Sequence, residues 1–352
     1  GEIQSLTYEE TPRGPLVRLE ADGEWTAEFL PWGSDGLIRA RSKHAPSMCD
    51  SPCGGFYWDG RDMIIMRKSS GPFKGLDEEL SRALRDNDAD SSIKILNSAG
   101  AQLGMYHSAV GAVRATPADQ KRWNSRNEAI ERVLRAQFIW RAPFTKEQPC
   151  TLSLLDVRFS DISDSKVRIG RPRLADAFRP HESEKPGMRD LASLMHDLSR
   201  IYYESKSALG ITDLRMSLID GWKSTAPGEW GSDAAFYSYK GGIAIWEYEQ
   251  CLLDVMEATS HQSGAPEPSV TMLKYVKSYQ KGMFNNRTFA ALSVMSFFFA
   301  ATTLISNIPP SPTEILAPAF LALLGFLCLK TYRNKSPPPE RPFNSSFGFA
   351  IE

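Results

Sequence analysis

The feature that most constrains this chain is a pair of uncharged apolar runs close to its C-terminus. Phe289 to Ile305 reads FAALSVMSFFFAATTLI, with Ser and Thr as its only polar residues, and Ile315 to Leu329 reads ILAPAFLALLGFLCL. Hydroxyls within a helix can bond back to their own backbone. At about 1.5 Å per residue, crossing about 30 Å of hydrocarbon takes roughly 17 to 25 residues. The first run has that length, with Ser306 and Asn307 completing it at the interface; the second reaches it once Lys330 snorkels and Thr331 and Tyr332 extend the helix. Between the runs Pro309, Pro310 and Pro312 force a turn. A transmembrane hairpin of two helices is therefore expected over 289–330.

Cations set its orientation. Lys274, Lys277, Lys281 and Arg287 precede the first run, Lys330, Arg333 and Lys335 follow the second, and the link carries only Glu314. Positive charge stays inside. Both termini are thus expected in the cytoplasm, with the Pro-rich turn outside and the lipid bilayer as partner.

Most of the 352 residues meet water, since the mean hydropathy is only −0.32. A net charge of −1 gives no pull toward nucleic acid, and no nucleic-acid partner is expected. The five cysteines are scattered, which reads as mostly free thiols in a reducing compartment. No signal-peptide pattern opens the chain, because Arg13, Arg18 and Glu20 break its first apolar cluster.

The expected architecture is an α+β or α/β soluble N-terminal domain, a helical region, and then the C-terminal two-helix transmembrane hairpin. Residues 1–160 form the mixed domain: short strands such as Trp25 to Leu30, a helix over Leu76 to Asp86, strands at Ser91 to Leu96 and Leu152 to Phe159, and a helix opened by Thr116-Pro117. Residues 161–187, rich in charge and proline, read as a linker or long loop. Residues 188–288 read as helical, with Leu191, Leu194, Met195, Leu198, Ile201 and Tyr202 on one face and a helix from Val270 running into the membrane. Residues 331–352 read as a disordered tail containing Pro337, Pro338 and Pro339.

Chemistry is sparsely marked. His44, Cys49 and Cys53 lack the spacing of paired zinc knuckles, so no metal site is expected. The other histidines are dispersed, and His196 with Asp197 reads as a solvent-facing pair. There is no P-loop, Gly-x-Ser-x-Gly elbow or His-Glu-x-x-His pair, so no catalytic residue is assigned. Lys166, Arg168, Arg171, Arg173 and Arg179 either meet anionic headgroups or form a solvated loop balanced by Asp161, Asp164 and Asp176. In the first apolar run Ser293, Ser296, Thr303 and Asn307 share a stripe with Ala300, which either lines a pore or packs on another helix.

Long helices leading into a first span, a short outside turn, a second span and a basic tail resemble the layout of the CorA-like family of divalent-cation transporters over the last third of the chain. That family carries a Gly-Met-Asn motif after the first span, where this chain has Ser306-Asn307-Ile308-Pro309. The resemblance implies passive transport by a homo-oligomer, with Mg2+ as the transported ion and Ser293, Ser296, Thr303 and Asn307 as pore-lining candidates. The alternative is a cytoplasmic interaction or sensing domain that the hairpin merely anchors.

Overall fold

The computed structural model of the chain describes residues 2–11, 14–34, 36–69, 73–114, 116–117, 129–130, 132, 149–169, 173–174, 184–231, 243–306, 308 and 311–335. The N-terminal part is a sheet of five antiparallel strands, β1 (Ser5–Thr11), β2 (Gly14–Glu20), β3 (Glu24–Phe29), β4 (Gly54–Trp58) and β5 (Arg61–Ser69), in the order β1-β2-β3-β5-β4. The β4–β5 hairpin closes on Asp59 and Gly60, both with positive φ (45° and 78°), the backbone that a two-residue turn between twisted strands requires. Helix α1 (Ile38–His44) bridges β3 and β4, and its buried Ile38 joins Leu30 and Ile65 in the core.

The chain then becomes helical. Helix α2 (Asp77–Arg85) carries Asp77, Glu78 and Glu79 in its first turn and Arg82 and Arg85 in its last, both favourable to the helix dipole, and buries Leu80, Ala83 and Leu84. Helix α3 (Ala89–Arg114) follows, with the Asp88 carboxylate accepting hydrogen bonds from the Ser91 amide and hydroxyl. The strand expected at Ser91 to Leu96 is thus the first two turns of a helix. Leu96, Ala99, Leu103 and Val110 recur at helical spacing along its buried face.

Helix α3 packs on α5 (Ile211–Thr225) at backbone distance: a Cβ on Gly100 would lie 2.3 Å from the Leu218 carbonyl oxygen, and one on Gly221 would lie 2.2 Å from that of Asn97. Thr116–Pro117 forms a short strand, β6, rather than a helix start; it pairs with β7 (Pro149–Leu152), which pairs in turn with β8 (Glu184–Pro186). The helix expected to follow Pro117 falls largely outside the described residues.

The described residues of the segment expected to be a linker are largely built into the core. Ile162, Val167, Ile169 and Leu174 are buried in the same cluster as Leu152, Leu194 and Leu252, and Val167 forms β-bridges with Cys49 and Ile162. Helix α4 (Gly187–Ser205) runs through the middle of this part, and its first thirteen residues are all buried. Helices α6 (Ala244–Ser260) and α7 (Ser269–Ser306) follow, the latter unbroken over 38 residues. At about 1.5 Å per residue it is roughly 57 Å long. Its first turns insert Met272 and Leu273 into the core.

Among the described residues two helices are long and apolar enough to cross a membrane, over Asn285–Ser306 in α7 and Leu316–Asn334 in α8 (Leu316–Lys335). They pack on each other, yet Val294, Phe298, Ile305, Leu316, Phe320 and Phe326 remain more than half exposed. A core helix pair of a soluble protein would bury such side chains.

Candidate functional site around Asp156

The most elaborate polar construction in the described residues is the loop that follows β7. At Leu155 the backbone turns left-handed (φ 65°), a conformation that a bulky residue adopts only when its surroundings impose it. Helix α4 supplies that constraint from Asp190, Ser193 and Asp197, spaced along one face. Asp190 accepts hydrogen bonds from the Leu154 amide (2.8 Å) and the Ser153 hydroxyl (2.5 Å). The Ser193 hydroxyl donates to the Val157 carbonyl (3.1 Å), and the Asp197 carboxylate takes the Phe159 amide (3.0 Å). Arg189 donates to the Leu155 carbonyl and is itself neutralised by buried Glu249 at 2.8 Å.

Behind Asp190 lies His107, fully buried. Its Nδ1 accepts from the Trp222 indole N–H (2.9 Å), which leaves the ring proton on Nε2, 3.2 Å from Asp190.

This loop presents Asp156 and, five residues on, Asp161. Two guanidinium groups close on Asp156. Arg158 approaches one carboxylate oxygen through Nε and Nη2, both at 3.0 Å, and Arg173 approaches the other through Nη1 at 3.3 Å. Asp161 accepts the Arg158 amide at 2.9 Å in a capping box that fixes the 3₁₀ turn Phe159–Asp161.

Arg173 is the hub. Buried, it also reaches Asp254 (2.6 Å), Glu257 (2.7 Å) and the Gln250 side-chain oxygen (3.3 Å). Burial works against its charge, but Asp156, Asp254 and Glu257 outweigh burial and hold its pKa well above the ordinary value. The same balance acts on Asp254 with opposite sign. Burial raises its pKa, yet His196 at 2.7 Å, Arg173 and the Ser269 hydroxyl at 2.5 Å together hold it far below the usual carboxylate range.

His196 and Asp197, expected to face solvent, are therefore both buried and engaged. Of the basic stretch read from sequence, Arg173 belongs to this network and Arg168 pairs with Asp50 at 2.6 Å, while Arg171 and Arg179 lie outside the described residues. Among the described residues no group of three or more His, Cys, Asp or Glu side chains is placed to hold a metal ion.

The stripe in the first apolar run faces the second apolar helix. Ser293 and Ser296 are buried with Ala300, and the Ser293 hydroxyl donates to the Gly325 carbonyl at 2.8 Å. The Thr303 hydroxyl bonds back to the Phe299 carbonyl of its own helix at 2.8 Å. Asn307 lies outside the described residues.

No family model and no curated protein matches the chain. Among solved structures, a glucosamine kinase in crystal form B aligns with a TM-score of 0.50 at 13% identity, over 74% of this chain and 79% of that one. The chain shares its fold with that kinase. A glucosamine kinase in complex with glucosamine, ADP and inorganic phosphate, and one in crystal form A, align at TM-scores of 0.48 and 0.46 with 13% and 12% identity. They cover 74% and 73% of this chain and 73% and 74% of their own.

The expected cation-transport function is overturned by this fold. Mg2+ as transported ion was implied by the transporter resemblance alone, and it goes with it.

Proposed function

We propose that the chain is a membrane-anchored protein of kinase fold in which arginines have closed the phosphotransfer site, so that the domain works by binding rather than by transferring phosphate. The observation that carries this reading is the contact of both Arg158 and Arg173 with Asp156.

The loop compares with the catalytic loop of protein kinases, H-R-D-L-x-x-x-N, whose Asp takes the substrate proton and whose Asn, five residues later, holds Mg2+. Here that frame reads Leu154-Leu155-Asp156-Val157-Arg158-Phe159-Ser160-Asp161, which keeps the first acid and its spacing to a second polar ligand. The rest departs from it. Strand β3, Glu-Trp-Thr-Ala-Glu-Phe, has no lysine for the nucleotide phosphates; the sequence joining β1 to β2, Thr11-Pro12-Arg13-Gly14, is not Gly-rich; and no Asp-Phe-Gly occurs in the chain.

The residues present do not fit a catalytic Mg2+. Asp156 is charge-paired on both oxygens, and Asp161 is engaged by a backbone amide. A divalent cation would have to approach through two guanidinium charges, and the Coulomb cost of that is largest where water is excluded. Arg173 already supplies the positive charge that a metal would bring.

The anchor is the pair of apolar helices, inserted with the folded part and the C-terminal tail on the cytoplasmic side, as the flanking cations favour. The test is a transfer assay on the full chain in detergent, with Mg-ATP and with glucosamine among a panel of hydroxyl acceptors. No product above the level of an Asp156→Asn variant is expected. Transfer that Asp156→Asn abolishes would overturn the reading.

A further inference from the structure

A second feature, apart from the Asp156 loop, is a cavity of about 350 Å³ between the sheet and the helical part. Its walls come from β3 and β5, the segment 73–76 that leads into α2, and the hairpin 163–168. Five cationic side chains line it (Arg67, Lys68, Lys74, Lys166 and Arg168) against three acids (Asp50, Glu79 and Asp164). None of Asp156, Asp161 and Arg173 does.

The wall is rigid. Arg168 is clamped between Asp50 at 2.6 Å and the face of Phe73, 4.0 Å from the ring centroid. The hairpin is tied by the Ser163 hydroxyl, which donates to the Lys166 carbonyl and accepts its amide, both at 3.0 Å. Gly75 brings its backbone so close to Ser160 that a Cβ there would lie 2.6 Å from it.

Inside this frame Arg67 is only 3% exposed. Its Nη1 lies 2.8 Å from Glu28 and its Nε faces Asp50, but its Nη2 is buried with no hydrogen-bond partner. A buried guanidinium N–H left without an acceptor is costly, and native structures rarely leave one so unless something else completes it. Lys74 and Lys166 make no ion pair among the described residues.

We infer that this cavity binds a phosphate group, as inorganic phosphate or as a phosphomonoester, with Arg67 donating from the buried end and Lys74 and Lys166 neutralising it at the mouth. The unpartnered Nη2 of a buried guanidinium together with exposed ammonium groups suits a compact dianion better than a single carboxylate. The cavity is also large enough for a small substituent on the phosphate. The two sources consistent with this chemistry are a soluble phosphorylated metabolite and the phosphomonoester headgroup of a membrane lipid.

The test is calorimetric titration of the full chain in neutral detergent with inorganic phosphate and, separately, with a short-chain phosphatidylinositol monophosphate. Saturable binding of inorganic phosphate at similar or higher affinity assigns the soluble source. Binding of the lipid tighter by about tenfold or more assigns the headgroup. The double variant Lys74→Glu, Lys166→Glu changes only exposed side chains, so its melting temperature should stay at the wild-type value while binding weakens by about tenfold or more. No saturable binding of either probe, or equal binding by the double variant, would overturn the inference.

Discussion

Ser269 donates a 2.5 Å hydrogen bond to Asp254, whose other carboxylate oxygen holds Arg173 at 2.6 Å. Ser269 is the first residue of the 38-residue helix that leads into the apolar hairpin, and Arg173 is one of the two arginines on Asp156. The start of the membrane-directed helix and the closed acidic loop are therefore parts of one hydrogen-bonded network.

Removing the charge from the centre of that network leaves Arg173 short of a partner. Asp254→Asn is expected to destabilise the folded part by about 3 to 5 kcal/mol, the range for breaking a buried ion pair on one side. Denaturant unfolding of the full chain in detergent measures this. A loss below about 1 kcal/mol, the range of an exposed pair, would show that the network is not held as described.

Acid should act on the same group. Burial raises the Asp254 pKa, but His196, Arg173 and Ser269 outweigh it, so the folded value lies far below that of the unfolded chain, about 3.9. A depressed carboxylate contributes its stability in full above the unfolded pKa and loses it as the pH falls toward the folded one. The melting temperature is thus expected to fall below about pH 4, and Asp254→Asn should flatten that acid limb. An unchanged limb in the variant would assign it to other carboxylates.

The contact between α3 and α5 depends on having no side chain at three positions, Gly100, Gly104 and Gly221. In Gly221→Ala the new Cβ would lie 2.2 Å from the Asn97 carbonyl oxygen, so the helices must separate. The expected cost is about 1 to 3 kcal/mol, as for other overpacked cores. Thermal unfolding reads it, and a variant as stable as the wild type would contradict the packing.

In the hairpin, Gly325 lets α8 approach the Phe297 ring, 3.2 Å from where its Cβ would be, and its carbonyl accepts the Ser293 hydroxyl. Gly325→Leu should break that contact, whereas Ser293→Ala should cost only about 0.6 kcal/mol, typical of a hydrogen bond between helices in lipid. Cysteine cross-linking between the two helices distinguishes these outcomes: it should be lost in the first variant and kept in the second.

How much of this was legible in the sequence depended on whether a residue's partners are near in the chain. The apolar helices could be read because length and absence of charge suffice. Helix α4 could be read because Leu191, Leu194 and Leu198 repeat at helical spacing. The first turns of α3 were not, because Ile93 and Ile95 alternate with Ser92 and Lys94 like a strand over a short window, and the helical repeat emerges only when Leu96, Ala99 and Leu103 are taken together.

The segment 161–187 looked like a linker because its charges were weighed as solvated. Arg173 in fact meets its counter-charges 81 and 84 residues away, at Asp254 and Glu257. The one local sign of the site was the five-residue spacing of Asp156 and Asp161, with Arg158 between them, and such spacing alone does not mark chemistry.

The central claim is that arginine charge has replaced metal at Asp156, and a titration of the full chain with Mn2+, followed by electron paramagnetic resonance of the free ion, tests it most directly. The account predicts no saturable site that depends on Asp156 or Asp161. A stoichiometric Mn2+ site in the wild type that is lost in Asp156→Asn or Asp161→Asn would contradict it.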